Sequence, residues 1–393
     1  MCTRAFAFVS NLLICLACMG WNLHAQPLSI GLAEPEIETA IKQAMLEGHI
    51  PSMTVAVVKD DRVIWTNGYG YANMWARTPA VPSTIYVIGS TFKAMSTVAL
   101  LRQMERGKFS LDDPVNQYLR YFRIRNEIPE RPITFRHLLT HTSGLPPDFT
   151  PYPVWGDESP PPIEEYLAAS LRVESAPEEK VVYSNMAYTL VGYLVQVLTG
   201  EEFRKHIKQQ IFKPLEMSST AFEPTPEMTE RLAVPYIVDP NTGSLVPTER
   251  LRATEWPAGI VYGTVLDMAN WLLVNLNEGT FKGHHLVDAE TLELMHTRQY
   301  DALKGRISDL WGGEEAGYGL TWWTEVRGEA QYFAHSGSVP GFTAFLQGNK
   351  DQRLGVAILS NGNSAHKHLI KLADRIMAVL ASPPVDSNML FGN

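Results

Sequence analysis

Cysteine is nearly absent from this chain of 393 residues: there are three, none beyond position 18. After Cys2, Cys15 and Cys18, no disulfide, thiolate nucleophile or cysteine-held cluster is available. Positive charge is also short. Lys and Arg number 33 against 42 Asp and Glu, a net charge of -9. An acidic chain repels phosphate backbones, which argues against nucleic acid as a partner. No apolar run makes a comfortable membrane span; the run over 5–20 is interrupted by Ser10 and Asn11. Internal repeats are lacking, and low complexity is confined to Pro160-Pro161-Pro162. What is present is ordinary for a globular protein: 45% hydrophobic and 19% charged residues.

Arg4 is the only charge in residues 1–25. An apolar stretch follows it, then Leu23-His24-Ala25 before Gln26-Pro27. That order is the pattern of a secretory signal peptide ending at Ala25. A retained anchor is the alternative. Lipidation at Cys18 is poorly supported by the preceding Cys15-Leu16-Ala17. Cleavage leaves a chain free of cysteine, which suits a periplasmic or secreted location.

Apolar spacing predicts an amphipathic helix over 35–49. Residues 52–58 and 63–66 read as a hairpin turning at Lys59-Asp60-Asp61-Arg62. A helix is expected over 90–107, ending at Gly107. From there to about 257, helices such as 188–200 and 201–212 alternate with proline-rich loops, and another helix covers 266–278. Strands return at 318–326, 341–347 and 354–360, and a helix over 366–380 closes the chain. The predicted class is α/β (α+β). An antiparallel sheet is built from both chain ends and flanked by helices, with an inserted, mostly helical subdomain. One domain spans 26–393. Its α/β part covers about 26–90 and 258–393, and its helical part about 91–257.

Ser90-Thr91-Phe92-Lys93 opens the first long helix. Residues three apart share a helix face, so the hydroxyl and the amine can touch. A neutral Lys takes the Ser proton, and the alkoxide attacks a carbonyl. The spelling alone is weak, because Ser364-Ala365-His366-Lys367 repeats it. The second copy lies too near the end of the chain to gather partners, and Ser364 reads as a helix cap. Tyr183-Ser184-Asn185 is the next piece: a phenol able to move a proton, and an amide able to bond a substrate carbonyl or the Lys amine. Tyr71-Ala72-Asn73 has the same spelling but reads as part of a glycine-rich turn. His335-Ser336-Gly337 is the third piece, expected at a strand end on a cleft edge, with Gly337 letting substrate approach the backbone. Backbone N–H groups of Ser90 and Ser338 are candidates for an oxyanion hole.

Ser-x-x-Lys, Tyr-x-Asn and His-Ser-Gly in that order resemble the serine β-lactamase and penicillin-binding protein superfamily. The resemblance is closest to its class C-like branch: class C β-lactamases, D-aminopeptidase- and DD-carboxypeptidase-type enzymes, and family VIII carboxylesterases. Ile133 to Leu145, Tyr183 to Gly192, Pro257-Ala258-Gly259 and Pro340-Gly341-Phe342 share its texture, so that the likeness runs from about 35 to 380. It implies a β-lactamase/transpeptidase-like fold. It implies Ser90 as acylated nucleophile, Lys93 as its activator and Tyr183 as the base. Asn185, His335, Gly337 and Ser338 are implied at the substrate, with no cofactor and no metal. Class C β-lactamases usually carry Lys where His335 stands, and the esterase- and peptidase-like members often carry His. The expected activity is therefore an exported serine hydrolase of esterase or D-amino-acid peptidase type. A class C-like β-lactamase and an inactive peptidoglycan-binding relative are the alternatives. The expected partner is a small ester, amide or peptidoglycan-like molecule. Oligomeric state is left open.

The remaining signals read as structural. His137 and His141 lack acidic or Cys partners at zinc-like spacing and are assigned to capping and packing. His284-His285 is assigned to a turn, and His366 and His368 point different ways on a helix. Trp311-Gly312-Gly313 is similar to a motif of some esterases, but its place before Gly317 reads as a loop. An aromatic, proline-rich loop over 148–162, with Phe149, Tyr152 and Trp155, either borders the site or pins itself down.

Overall fold

The computed structural model describes residues 30–147, 154–155, 159–254, 256–300 and 316–381. The expected signal segment, most of the aromatic loop and Trp311-Gly312-Gly313 lie outside the described residues.

An antiparallel sheet of eight strands carries the fold. In chain order they are β1 (Ser52–Lys59), β2 (Arg62–Asn73), β3 (Thr78–Pro79), β4 (Gly317–Tyr318), β5 (Trp323–Arg327), β6 (Ala330–Val339), β7 (Phe342–Asn349) and β8 (Leu354–Ser360). Their order across the sheet is β4-β5-β6-β7-β8-β1-β2-β3. The two chain ends meet where β1 pairs with β8, from Met53 opposite Ser360 to Lys59 opposite Leu354.

Side-chain alternation assigns each face its cover. Val55 and Val57 point to the face packed by α1 (Glu34–Glu47) and a C-terminal helix (His366–Ala381). Ala56 and Val58 point to the opposite core, under the helix Val265–Leu276. A strand covered on both faces reads as an unbroken apolar run, which is why Val55-Ala56-Val57-Val58 has no polar member. In chain order, α2 (Lys93–Glu105), α3 (Phe135–Leu139) and α4 (Asn185–Thr199) lie between the strands supplied by the two chain ends. The helices Val265–Leu276 and His366–Ala381 are α5 and α6. α2 packs along α4 and is buried all round from Lys93 to Leu101, as befits an interior helix.

The mixed fold with an antiparallel sheet from both ends is as the sequence indicated; several local details differ. Ser90 lies in a 3-10 turn, Gly89–Phe92, and α2 starts only at Lys93. The expected strand over 318–326 is broken, with Thr321 at φ 81° between β4 and β5. The break turns the Thr321 hydroxyl inward to meet Tyr188 Oη at 2.6 Å, so a buried polar group is satisfied. Tyr71-Ala72-Asn73 is not a turn but the end of β2. The Ser364 hydroxyl donates to the Gly48 carbonyl at 2.7 Å, and α6 begins two residues later at His366. No described helix is long and apolar enough to cross a membrane.

Candidate active site

Three glycines bring the pieces together. Gly89 has φ +57°, and a Cβ there would lie 2.8 Å from Ser338 N. A Cβ on Gly337 would lie 2.1 Å from the Ile88 carbonyl oxygen. Gly259, at φ +147°, would drive a Cβ to 2.5 Å from the Gly89 carbonyl carbon. Only glycine allows three backbones to approach this closely. The Ser90 turn, β6 and the 257–259 segment are thus held in backbone contact. Gly337 serves this seam, whereas the sequence pointed to substrate approach. The same seam sets Ser90 and Ser338 on one cleft wall.

Lys93 is 0% exposed. Its Nζ faces three acceptors: Ser90 Oγ at 2.8 Å, Asn185 Oδ1 at 2.5 Å and the Ala258 carbonyl at 2.7 Å. As an ammonium, Lys93 donates to all three. As an amine, it keeps two N–H donors for Asn185 and Ala258 and turns its lone pair to the Ser90 hydroxyl. That geometry can remove the Ser90 proton. The ammonium form lies 4.9 Å from the Tyr183 ring centroid and 5.5 Å from that of Tyr188, within cation–π reach.

The Tyr183-Ser184-Asn185 segment is fixed locally. Ser184 is the N-cap of α4, its hydroxyl accepting from Ala187 N–H at 3.0 Å and donating to the Pro146 carbonyl at 2.5 Å. Asn185 N–H donates to the Pro147 carbonyl at 2.8 Å. The first turn of α4 thereby points the Asn185 amide at Lys93.

His335 stands in the interior of β6, not at its end, and is 1% exposed. Its ring stacks on Trp323 at 5.3 Å, and Nδ1–H donates to the Ser336 carbonyl at 2.6 Å. Burial, with the Lys93 charge nearby, pushes its pKa down to about 3, so the ring is neutral. His335 therefore lies behind the cleft wall, beside Tyr183 at 6.4 Å between centroids.

The cleft has a volume of about 430 Å³. Ser90, Tyr183, Asn185 and Ser338 reach it, with Leu251, Ile260, Trp323 and Val339 supplying apolar wall. No Lys, Arg, Asp or Glu is among its described lining residues. Besides the apolar wall, Ala258 and His366 line the cleft without having been marked by the sequence. Ala258 acts through its carbonyl, which no side-chain pattern announces. His366 also lines the cleft, at the start of α6, although its spacing from His368 pointed only to a helix. His137 caps α3, the role assigned to it in the absence of metal-ligating partners. Among the described residues there is no cluster of three His, Cys, Asp or Glu able to hold a metal.

Known proteins share this arrangement of chain. Protein flp of Staphylococcus aureus (strain COL) is 26% identical over 340 residues, covering 85% of this chain and 64% of that protein. The chain thus spans less than two thirds of that relative. Beta-lactamase-like protein 2 of Dictyostelium discoideum is 28% identical over 285 residues, covering 68% of this chain and 51% of that protein. Among solved structures, the octameric penicillin-binding protein homologue from Pyrococcus abyssi superposes with a TM-score of 0.75 and 29% identity, over 89% of this chain and 78% of its own. The Beta-lactamase family matches residues 37–381, nearly the whole described fold, and the chain belongs to that family.

Proposed function

We propose that the protein is a serine hydrolase that cleaves neutral esters, or amides of similar shape, through an acyl-enzyme on Ser90. The observation that carries this reading is the buried Lys93 amine, 2.8 Å from Ser90 Oγ, beside a cleft with no Lys, Arg, Asp or Glu among its described lining residues. Lys93 accepts the Ser90 proton, and Oγ bonds to the carbonyl carbon. The oxyanion faces the N–H groups of Ser90 and Ser338. The bond to the leaving alcohol breaks, and that oxygen takes a proton from Tyr183. A water then gives its proton to the Tyr183 phenolate and attacks the acyl carbon. Ser90 recovers its proton from Lys93, and one ester plus one water has become one alcohol and one acid. Asn185 holds Lys93 in line. Gly337 keeps β6 against the nucleophile turn, and His335 supports Tyr183 as a neutral ring behind it. A neutral His335, where class C β-lactamases usually carry Lys, disfavours a substrate carboxylate.

The reading extends to export, with residues 1–25 as the signal segment and a periplasmic or secreted location; N-terminal sequencing of the secreted protein tests that step. The activity test pairs p-nitrophenyl butyrate with nitrocefin on the chain and its Ser90→Ala variant. Ester turnover that is lost with Ser90, with slow nitrocefin hydrolysis, is expected. Faster nitrocefin turnover turns the reading to a β-lactamase, and neither activity turns it to a binding relative.

A further inference from the structure

We propose that His141 is a positioning residue for Tyr183: it fixes the backbone on both sides of that tyrosine and the tilt of its ring. His141 is 0% exposed and sits at φ +60°. In that left-handed turn its carbonyl and its side chain face the same neighbour. The carbonyl accepts Val182 N–H at 2.9 Å. Nδ1 accepts Ser184 N–H at 3.0 Å. The residues before and after Tyr183 are therefore bonded to one side chain and its own backbone. The His141 ring also packs on the Tyr183 ring, at 4.2 Å between centroids and 36° between planes.

Packing alone does not require histidine here. A phenylalanine would fill the space and keep the ring contact, but it would leave Ser184 N–H without its acceptor. The acceptor role also fixes the tautomer. Nδ1 bears the lone pair, so the proton of the neutral ring is on Nε2. Burial, together with the Lys93 charge, holds the imidazole well below its usual range and keeps that lone pair free. Asn185 N–H has its own anchor at Pro147. Without Nδ1, the peptide is held at Asn185 but loosened at Ser184, one residue from Tyr183. A displacement of about 1 Å in a catalytic group costs about a hundredfold in rate.

The inference rests on the reading of Tyr183 as the proton-moving group, and its test separates the two. Three chains are compared: wild type, His141→Phe and His141→Asn. Phe keeps the ring and loses the acceptor. Asn tolerates positive φ and offers Oδ1 near the Nδ1 position. The readouts are kcat and KM for p-nitrophenyl butyrate, the rate of Ser90 labelling by a fluorophosphonate, and amide hydrogen exchange at Ser184. His141→Phe is expected to lose about a hundredfold in kcat and in labelling rate, with KM changed less than about threefold and Ser184 exchange accelerated. His141→Asn is expected within about tenfold of wild type, with Ser184 still protected. A folded Phe variant with wild-type rates, or a folded Asn variant as slow as Phe, overturns the proposal. If the Phe variant does not fold, His141→Gln replaces it, because its amide is one bond too long to serve Ser184. If wild type hydrolyses no ester, the functional reading fails, while labelling and Ser184 exchange still decide the role of His141.

Discussion

The chain spells Ser-x-x-Lys twice, and the two copies end in opposite surroundings. Ser90 and Lys93 meet at 2.8 Å, and Lys93 is 0% exposed. Ser364 and Lys367 are both exposed, and the Ser364 hydroxyl is engaged by the Gly48 carbonyl. Spacing is the same in both, so spacing does not make the chemistry. Lys93 owes its setting to acceptors 92 and 165 residues away, Asn185 and Ala258. Those reach it because three glycines close the seam around the Ser90 turn. Lys367 is exposed on the surface instead.

The sharpest way to break this comparison is to exchange the loss between copies. Ser90→Ala or Lys93→Ala is expected to lower ester turnover by about 10⁴-fold, read as kcat. Ser364→Ala and Lys367→Ala are expected to leave kcat within about twofold. If Lys367→Ala slows the reaction as Lys93→Ala does, burial is not what separates the copies.

Tyr183→Phe comes next. It is expected to lower kcat by about 10² to 10⁴ with little change in KM, because a proton transfer and not a binding contact is lost. Steady-state kinetics on a chromogenic ester decides this, and a raised KM at unchanged kcat contradicts it.

Gly337→Ala tests the seam. The added Cβ meets the Ile88 carbonyl oxygen at 2.1 Å, so β6 must withdraw from the Ser90 turn. A stability loss of about 1–3 kcal/mol is expected from chemical denaturation, with a fall in kcat. Stability equal to wild type means the strand can shift freely and the close approach is not needed.

A smaller effect comes from acid. His335 has a folded pKa of about 3 against 6.5 for the ordinary group. A depressed folded value means that the unfolded chain binds the proton first. The stability due to neutral His335 is present above about pH 6.5 and is lost as pH falls toward 3. His335→Gln is expected to flatten part of that fall in denaturation curves measured across this window. An unchanged slope contradicts a buried, neutral His335. The smallest effect is at the second copy: Ser364→Ala is expected to cost about 0.5–1.5 kcal/mol through the lost bond to Gly48, visible in melting and not in rate.

The contrast also explains what the sequence made legible. Ser90 with Lys93, and Tyr183 with Asn185, are short-range spellings at helix starts, and side-chain chemistry marked them. The sheet was legible because Val55 to Val58 and 354–360 are apolar runs bounded by turns. Ala258 was not legible, since it contributes a carbonyl, and carbonyls have no spelling. His141 was not, since its role arises from a positive φ and from a peptide 43 residues further on. The break at Thr321 was hidden inside Tyr318-Gly319-Leu320-Thr321-Trp322-Trp323, in which Tyr318, Thr321, Trp322 and Trp323 favour a strand. Tertiary hydroxyl partners outweighed that preference. His335 was placed on the cleft edge as a polar side chain presented to substrate. In the fold it seeks Trp323 and the Ser336 carbonyl instead.

The central claim is that Ser90, and not Ser364, is the nucleophile. Incubation with a fluorophosphonate, followed by intact-mass measurement and peptide mapping, tests it without knowledge of the natural substrate. One adduct on Ser90, absent from Ser90→Ala and retained in Ser364→Ala, is the predicted result. An adduct that persists in folded Ser90→Ala contradicts the account.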